Sequence, residues 1–216
     1  MVVHSMDSPG LEGSNLPLRT RRGRLWMVLV WIICAAPVVG SYLTFYVIRP
    51  ESRSSFGDLI EPQRPVPDLA ARSLDGNPVN LMSLKGQWLL ISVAGGACNS
   101  ACEQHLYLQR QLRESVGREK DRVDWVWLVT DDAIVPNALR PALSGATVLA
   151  VSQSALSRWL SADAGHQIDD HLYLVDPLGN WMMRFPAGLD LQSAAKAKRD
   201  LDRLLRASVS WDKAGR

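Results

Sequence analysis

The feature that most constrains the fold of this chain is an apolar run that ends in a cysteine-containing turn. Residues Trp88–Ala94 carry no charge, and a Gly-Gly pair and the two cysteines Cys98 and Cys102 follow them. The run is continuous rather than alternating in polarity, which is typical of a central strand covered on both faces. Helical periodicity begins near Cys102, so the sequence predicts that both sulfur atoms lie at a strand-to-helix junction.

Such a junction favours sulfur chemistry. The N-terminus of a helix carries a partial positive charge and unpaired N–H groups, which stabilise a thiolate, the form that attacks disulfides and binds soft metals. Residues i and i+4 of a regular helix have Cβ atoms about 5–6 Å apart, whereas a disulfide needs about 3.5–4.5 Å. If Cys98 lies outside the regular helix, the pair could form either a disulfide or a metal site. The alternative to a functional pair is a purely structural disulfide, or two thiols that are simply buried.

The chain after this junction has the pattern of one α/β domain, predicted at residues 68–210. A second continuous apolar run, Val123–Val129, indicates another central strand. The further predicted elements are a helix from Cys102 to Gly117, a strand at 147–151, a helix at 155–160, strands at 171–175 and 181–185, and a last helix at 191–207. The proline-containing residues 49–67 are expected to form an extended linker.

The N-terminal part of the chain contains a predicted membrane anchor. Residues Leu25–Ile48 include no charged side chain and are long enough to cross a bilayer core of about 30 Å. The four arginines that precede this run predict that the N-terminus is cytoplasmic and that residues 50–216 lie outside, which in a bacterial cell is the periplasm. Residues 1–24 are expected to be a disordered cytoplasmic tail. A cleaved signal peptide is the alternative, but the run is long for one.

Composition narrows the classes of function. The chain has 24 Lys and Arg against 22 Asp and Glu, a formal net charge of +2, so no nucleic-acid partner is expected. Its three cysteines are too few for a disulfide scaffold. The sequence contains no phosphate-binding glycine-rich loop and no nucleophilic serine elbow, so the cysteine pair carries the chemistry.

The predicted order of elements is that of thioredoxin-like proteins, and the chain resembles the membrane-anchored Sco/SenC family. The resemblance covers about residues 60–207 and the anchor. The segments that carry it are Gly86-Gln87-Trp88, Cys98-x-x-x-Cys102, Thr130-Asp131 and Tyr173–Gly179. It implies an α/β thioredoxin-like fold, with a central mixed sheet flanked by helices and one N-terminal transmembrane helix. It also implies copper binding and a role in the assembly of cytochrome c oxidase.

The cysteine motif departs from the Sco pattern in the residues that follow each sulfur. The family has a proline after each cysteine, whereas this chain has Asn99 and Glu103. The resemblance nevertheless implies that Cys98 and Cys102 are both the redox pair and two ligands of one copper ion. Two thiolates can hold the soft ion Cu(I), and an imidazole as third ligand would also admit Cu(II).

The third ligand is sought among the histidines. The Sco copper histidine precedes the late strand, where this chain has Ile168. We assign the ligand to His171, because it opens a predicted strand and because the adjacent Asp169-Asp170 could orient its ring. His166 is the alternative, since it lies nearer to the family position. His105 either reaches the sulfur atoms or is a partly buried helix residue.

The functional hypothesis is a single-span protein of the inner (cytoplasmic) membrane whose C-terminal domain lies in the periplasm. It binds copper through the thiol pair, and its partner is a cytochrome c oxidase subunit or another copper or thiol client protein. This hypothesis makes it a metallochaperone rather than an enzyme. The alternatives are a thiol–disulfide oxidoreductase without metal and a degenerate thioredoxin-like binding module.

Overall fold

The computed structural model describes residues 16–48 and 55–212 of the chain, with side chains at 21–46 and 55–212. The chain divides into two compact units, Met1–Arg53 and Ser54–Arg216. The larger unit is close to the domain predicted at 68–210 but begins earlier. Part of the predicted tail, residues 1–15, and part of the predicted linker, residues 49–54, lie outside the described residues.

The N-terminal unit contains one long helix. Helix α1 spans Leu16–Leu43 and continues as one π-helical turn, Thr44–Ile48. Its segment Arg21–Tyr46 has 26 residues and a mean hydropathy of 2.0, so it is long and apolar enough to cross a membrane. The helix starts earlier than the predicted span, and residues 16–24, which we expected in a disordered tail, are helical. Pro17 is compatible with this start, because proline is favoured in the first helical turn.

The C-terminal unit is built on one eight-stranded mixed sheet with the order β1-β8-β7-β4-β5-β6-β2-β3. The strands are β1 (Asp58–Pro65), β2 (Ala70–Ser73), β3 (Pro78–Asn80), β4 (Trp88–Ala94), β5 (Val123–Val129), β6 (Thr147–Ala150), β7 (Leu172–Val175) and β8 (Asn180–Arg184). Strands β4, β5 and β6 are parallel to one another, and β7 runs antiparallel to β4. The helices are α2 (Ser100–Ser115), α3 (Gln153–Trp159) and α4 (Leu191–Ala207). The predicted mixed sheet flanked by helices is confirmed.

The two faces of the central strands pack into separate layers of the core. Successive side chains of a strand point to opposite faces, so Leu89 and Ile91 of β4 join the cluster that contains α3, while Leu90 joins the cluster beneath α2 and α4. All three of these side chains are buried. The continuous apolar run of β4 is thereby explained, because both of its faces are covered.

The segment predicted as a linker contains an edge strand. Asp58–Pro65 forms β1 and pairs antiparallel with β8, with a register shift between Leu59 and Arg64. Proline lacks a backbone N–H and is tolerated at sheet edges. Pro62 and Pro65, which suggested a linker, therefore lie in an edge strand whose pairing with β8 is irregular.

Candidate functional site

The predicted cysteine pair is closed in this structure. Cys98 and Cys102 form a disulfide with their Cα atoms 5.1 Å apart, and each residue is about 8% exposed. Cys98 lies before the helix and has a φ angle of 42°. This left-handed backbone takes Cys98 out of the regular helix, which is the condition under which the sequence allowed the pair to close.

Asn99 begins the cysteine helix. Its side-chain Oδ1 accepts a hydrogen bond from the backbone N–H of Cys102 at 3.0 Å, and its carbonyl accepts one from Glu103 at 2.9 Å. Asparagine is among the residues that best cap a helix N-terminus. Asn99, which follows Cys98 where Sco proteins have a proline, therefore has a structural role as the cap of α2.

The loop after β5 holds the cysteine turn from the other side. The Oδ1 atom of Asp131 accepts hydrogen bonds from the N–H groups of Gly96, at 2.7 Å, and Ala133, at 3.2 Å. A Cβ atom on Gly96 would lie only 2.1 Å from the carbonyl oxygen of Ala133. Glycine is required here because the two loops approach so closely.

A buried glutamine fastens α2 to the sheet. Gln109 is fully buried, and its Nε2 donates to the carbonyl oxygens of Leu90, at 2.6 Å, and Val126, at 2.9 Å. Its Oε1 accepts from the hydroxyl of Ser92 at 3.0 Å. These bonds fix the helix that carries Cys102 against both central strands, and no sequence pattern identified this residue.

The disulfide forms part of the wall of an open cleft of about 580 Å³. On the α2 side the cleft is lined by Cys98, Asn99, Ala101, Cys102, Gln104 and His105, and on the other side by Asp169, Asp170 and Gly188–Asp190. Asp190 caps α4, and its hydrogen bonds with Ser193 lower the pKa of its carboxyl group. The cleft therefore combines a sulfur pair, one imidazole and carboxylates.

His105 is the histidine that lines this cleft. It lies one helical turn after Cys102 and is half-buried, and Asp169 and Asp170 line the same cleft. Burial lowers the pKa of His105, and this effect outweighs the influence of the Asp169 backbone and of the nearby carboxylates of Asp169 and Asp170, which act in the opposite direction. At neutral pH the ring is therefore predominantly uncharged.

The structure does not bring His171 to the cleft lining. His171 is buried, its Nδ1 lies 3.0 Å from the carbonyl oxygen of Phe185, and its Nε2 accepts the backbone N–H of Asp163 at 3.2 Å. Because Nε2 is an acceptor, the ring proton lies on Nδ1 and neither nitrogen is free. Burial lowers the pKa of this ring, ahead of all other effects. The assignment of His171 as a metal ligand stays a prediction, and this arrangement does not support it.

His166, the alternative third copper ligand, and Ile168, at the family position of that ligand, also lie outside the residues that line the cleft. His166 is exposed, with its Nδ1 atom 3.6 Å from Oδ2 of Asp170. Ile168, at the family position of the copper histidine, packs against the apolar core. Over residues 16–48 and 55–212, no three or more His, Cys, Asp or Glu side chains are grouped to hold a metal ion. The structure shows the oxidised state, in which the sulfur atoms of Cys98 and Cys102 are bonded to each other.

Comparison with known proteins places this geometry in a family. Residues 88–208 match the family model described as "Transmembrane-like, thioredoxin-like, C-terminal domain", which covers more than half of the chain. No curated protein matches the sequence.

The solved structures give the same fold. BsSco, described as a member of the Sco family of cytochrome c oxidase assembly proteins with a disulfide switch, is 18% identical with a TM-score of 0.52, and the match covers 70% of this chain and 96% of BsSco. Apo Sco1 from Thermus thermophilus is 16% identical with a TM-score of 0.52, over 74% of this chain and 99% of that protein. Copper-bound ScoI from Arabidopsis thaliana is 14% identical with a TM-score of 0.51, over 71% and 99%.

These identities show a common fold, so the predicted thioredoxin-like architecture and the resemblance to Sco/SenC proteins are confirmed at that level. The family model covers the whole of the cysteine turn, helix α2 and the walls of the cleft. The chain belongs to the family of transmembrane-like, thioredoxin-like C-terminal domain proteins.

Proposed function

We propose that this protein is a membrane-anchored, Sco/SenC-like protein that binds one copper ion through the reduced thiols of Cys98 and Cys102 and assists the assembly of cytochrome c oxidase. The observation that carries the proposal is the position of the disulfide in the wall of an open cleft at the start of α2. A disulfide that served stability alone would need no such access. The cleft is the route by which a metal ion or a client thiol would reach the pair, of which each residue is about 8% exposed.

The donor atoms of the cleft suit copper. Thiolate is a soft ligand that selects Cu(I), and imidazole is a common copper ligand. Reduction of the Cys98–Cys102 bond would provide two thiolates, and His105 lies in the same cleft. The carboxylates of Asp169 and Asp170 add negative charge, which favours a bound cation.

Two structurally similar proteins support the proposed copper binding and the proposed role in oxidase assembly. The ScoI protein from Arabidopsis thaliana was solved with copper bound, and BsSco is described as a cytochrome c oxidase assembly protein with a disulfide switch. By analogy with these two proteins, the partner of this chain would be a cytochrome c oxidase subunit or another copper or thiol client.

The proposed location is the inner membrane, with a single span and the C-terminal domain in the periplasm. The apolar segment of α1 supplies the span. Arg21, Arg22 and Arg24 lie at its N-terminal end, and arginines at that end favour a cytoplasmic N-terminus. An oxidising compartment would also suit a protein whose cysteine pair forms a disulfide.

Copper titration tests the proposal directly. The full-length protein, purified in detergent and carrying Cys34→Ser to remove the free cysteine of α1, is reduced without oxygen and titrated with Cu(I) against a coloured Cu(I) chelator. We expect one Cu(I) per chain, and we expect Cys98→Ala and Cys102→Ala each to abolish stable binding, because the thiolates are the soft ligands. Equal copper uptake by the parent and by the variant lacking both Cys98 and Cys102 would overturn the proposal.

A second candidate function is thiol–disulfide exchange without metal, and the disulfide itself favours it. In that reaction a client dithiol is oxidised to a disulfide, the Cys98–Cys102 bond is reduced to two thiols, and the two thiol protons of the client end on the sulfur atoms of Cys98 and Cys102. Repeated turnover with a redox partner in copper-free buffer would favour this function. A protein that neither binds copper nor exchanges thiols would correspond to the third alternative, a binding module.

A further inference from the structure

We propose that His105, and not a histidine of the segment before β7, is the imidazole ligand of the copper ion held by Cys98 and Cys102. This inference rests on the proposed function, because it names the third ligand of that same site. It also replaces the assignment of His171 that the sequence suggested.

The first argument is that the other histidines of the described chain are engaged elsewhere. Both ring nitrogens of His171 already have hydrogen-bond partners in the protein backbone. His166 contacts the ring of His171 and the carboxylate of Asp170 and does not line the cleft. His4 lies outside the described residues.

The second argument is the position of His105 on α2. Residues three apart on a helix lie on the same face, with Cβ atoms about 5–6 Å apart, so the ring of His105 projects from the helix face that carries Cys102. Both residues line the same cleft. The helix is fixed to the sheet through Gln109 and capped by Asn99, so its two potential ligands keep their spacing when the disulfide is reduced.

The third argument is the position of Asp169 and Asp170 relative to His105. All three residues line the same cleft, and the backbone of Asp169 and the carboxylates of Asp169 and Asp170 act on the ring so as to favour its positive charge. Histidines that bind metals almost always donate their other ring N–H to a carboxylate, a backbone carbonyl or water. The 3₁₀ turn Ile168–Asp170 therefore offers acceptors for one ring nitrogen and leaves the other for a metal ion.

In this arrangement α2 supplies the imidazole as well as one thiolate, while the 3₁₀ turn Ile168–Asp170 before β7 offers the acceptors that would orient the imidazole. Ile168, at the place of the Sco histidine, is then free to pack into the core, as it does here. In the oxidised state Cys98, Cys102 and His105 are not grouped as a metal site. The arrangement therefore requires reduction of the disulfide, because only then do Cys98 and Cys102 present thiolates that can move to a shared ion.

The test compares three histidine substitutions in the full-length Cys34→Ser protein in detergent. The variants are His105→Gln, His171→Gln and His166→Gln, of which the last is the matched control because His166 is exposed near the same 3₁₀ turn. Each protein is reduced, loaded with Cu(I), and examined by copper X-ray absorption for sulfur and imidazole scattering. Cu(II) affinity is measured in parallel, and circular dichroism verifies folding.

We expect the parent and the His166→Gln and His171→Gln proteins to show both sulfur and imidazole scattering. His105→Gln should keep sulfur scattering and lose the imidazole signal. Its Cu(II) affinity should fall by at least about tenfold, because even the loss of a group that only orients a ligand costs about 10–100-fold in affinity. If His171→Gln fails to fold, the comparison of His105→Gln with His166→Gln still decides the result.

The outcomes separate the inference from the function on which it rests. If the parent binds no copper, the proposed function falls and the ligand assignment falls with it. If the parent binds copper and His105→Gln keeps the imidazole signal, the function stands and the inference is overturned. Loss of the signal in His166→Gln or His171→Gln alone would move the ligand to that residue and would equally overturn the inference.

Discussion

At the scale of residues, the cysteine turn is held by backbone hydrogen bonds to one carboxylate. Asp131 accepts the N–H groups of Gly96 and Ala133, and Asn99 accepts the N–H of Cys102. These bonds join the loop after β4 to the loop after β5 and fix the start of α2. The geometry that allows the sulfur atoms to meet is therefore set by neighbours of the cysteines.

This role of Asp131 predicts the effect of its removal. Asp131→Ala removes the acceptor of the part-buried N–H group of Gly96 and of the exposed N–H group of Ala133. Because water can replace the acceptor at the exposed group, the free energy of unfolding should fall by about 0.5–1.5 kcal/mol. Asp131→Asn keeps an acceptor oxygen and should cost less. Both are measured by urea denaturation of the oxidised full-length protein, with the exposed neighbouring change Asp132→Ala as control. A loss for Asp132→Ala as large as that for Asp131→Ala would contradict this role.

The sequence predicted part of this site. The spacing of Cys98 and Cys102 after an apolar strand predicted their proximity, because local order places them at one strand end. The acceptor role of Asp131 could not be read in the same way, because it joins residues that are 35 positions apart in the chain. The sequence assigned the third ligand to His171 from its place at a strand start, but strand position does not reveal that both ring nitrogens are bonded to the protein. That assignment stays a prediction, and the observed arrangement does not support it.

At the scale of elements, α2 is the part of the fold on which the site depends. It carries Cys102 and His105, and Gln109 bonds it to the backbone of β4 and β5. Buried polar side chains are costly unless their hydrogen bonds are made. The complete set of bonds around Gln109 therefore specifies one position of the helix on the sheet.

We predict that Gln109→Met destabilises the domain although its volume is similar. The substitution leaves the hydroxyl of Ser92 and two carbonyl oxygens without a buried partner, which should cost about 1–3 kcal/mol of unfolding free energy. Gln111→Met is the matched control, because Gln111 is an exposed glutamine of the same helix. The measurement is urea denaturation of both oxidised proteins. Equal stability of the two variants would show that the Gln109 bonds do not fix the helix.

The elements themselves were predicted unevenly. Strands β4 and β5 were found because buried parallel strands have continuous apolar runs, and α4 was found from its helical periodicity at the observed bounds, Leu191–Ala207. Strand β1 was missed, because most of its residues are exposed and it contains Pro62 and Pro65. An edge strand of that composition has the local pattern of a linker, and only its pairing with β8 distinguishes the two.

At the scale of the whole molecule, two independent arguments predict the same compartment for the C-terminal domain, outside the cytoplasm. One is the charge distribution around the predicted anchor, and the other is the redox state of the cysteine pair. Arginines at the N-terminal end of the apolar helix favour a cytoplasmic N-terminus. A disulfide persists in oxidising compartments and is rare where glutathione and thioredoxin keep thiols reduced. If both arguments hold, the domain that carries Cys98 and Cys102 lies outside the cytoplasm.

The prediction is that the pair is oxidised in bacterial cells only when the anchor is present. Cells that express the full-length Cys34→Ser protein are quenched with acid, and their free thiols are alkylated with a reagent that shifts mobility on a gel. We expect Cys98 and Cys102 to be protected together and to become reactive after reduction. A shortened chain that begins at Ser54 and lacks the α1 segment should stay in the cytoplasm with both thiols alkylated, because that compartment is reducing.

A reporter that is active only in the periplasm, fused after Arg216, tests the topology independently. An inactive reporter would refute the orientation, whereas an active reporter with both thiols free would show that the cell keeps the pair reduced, the state that copper binding requires.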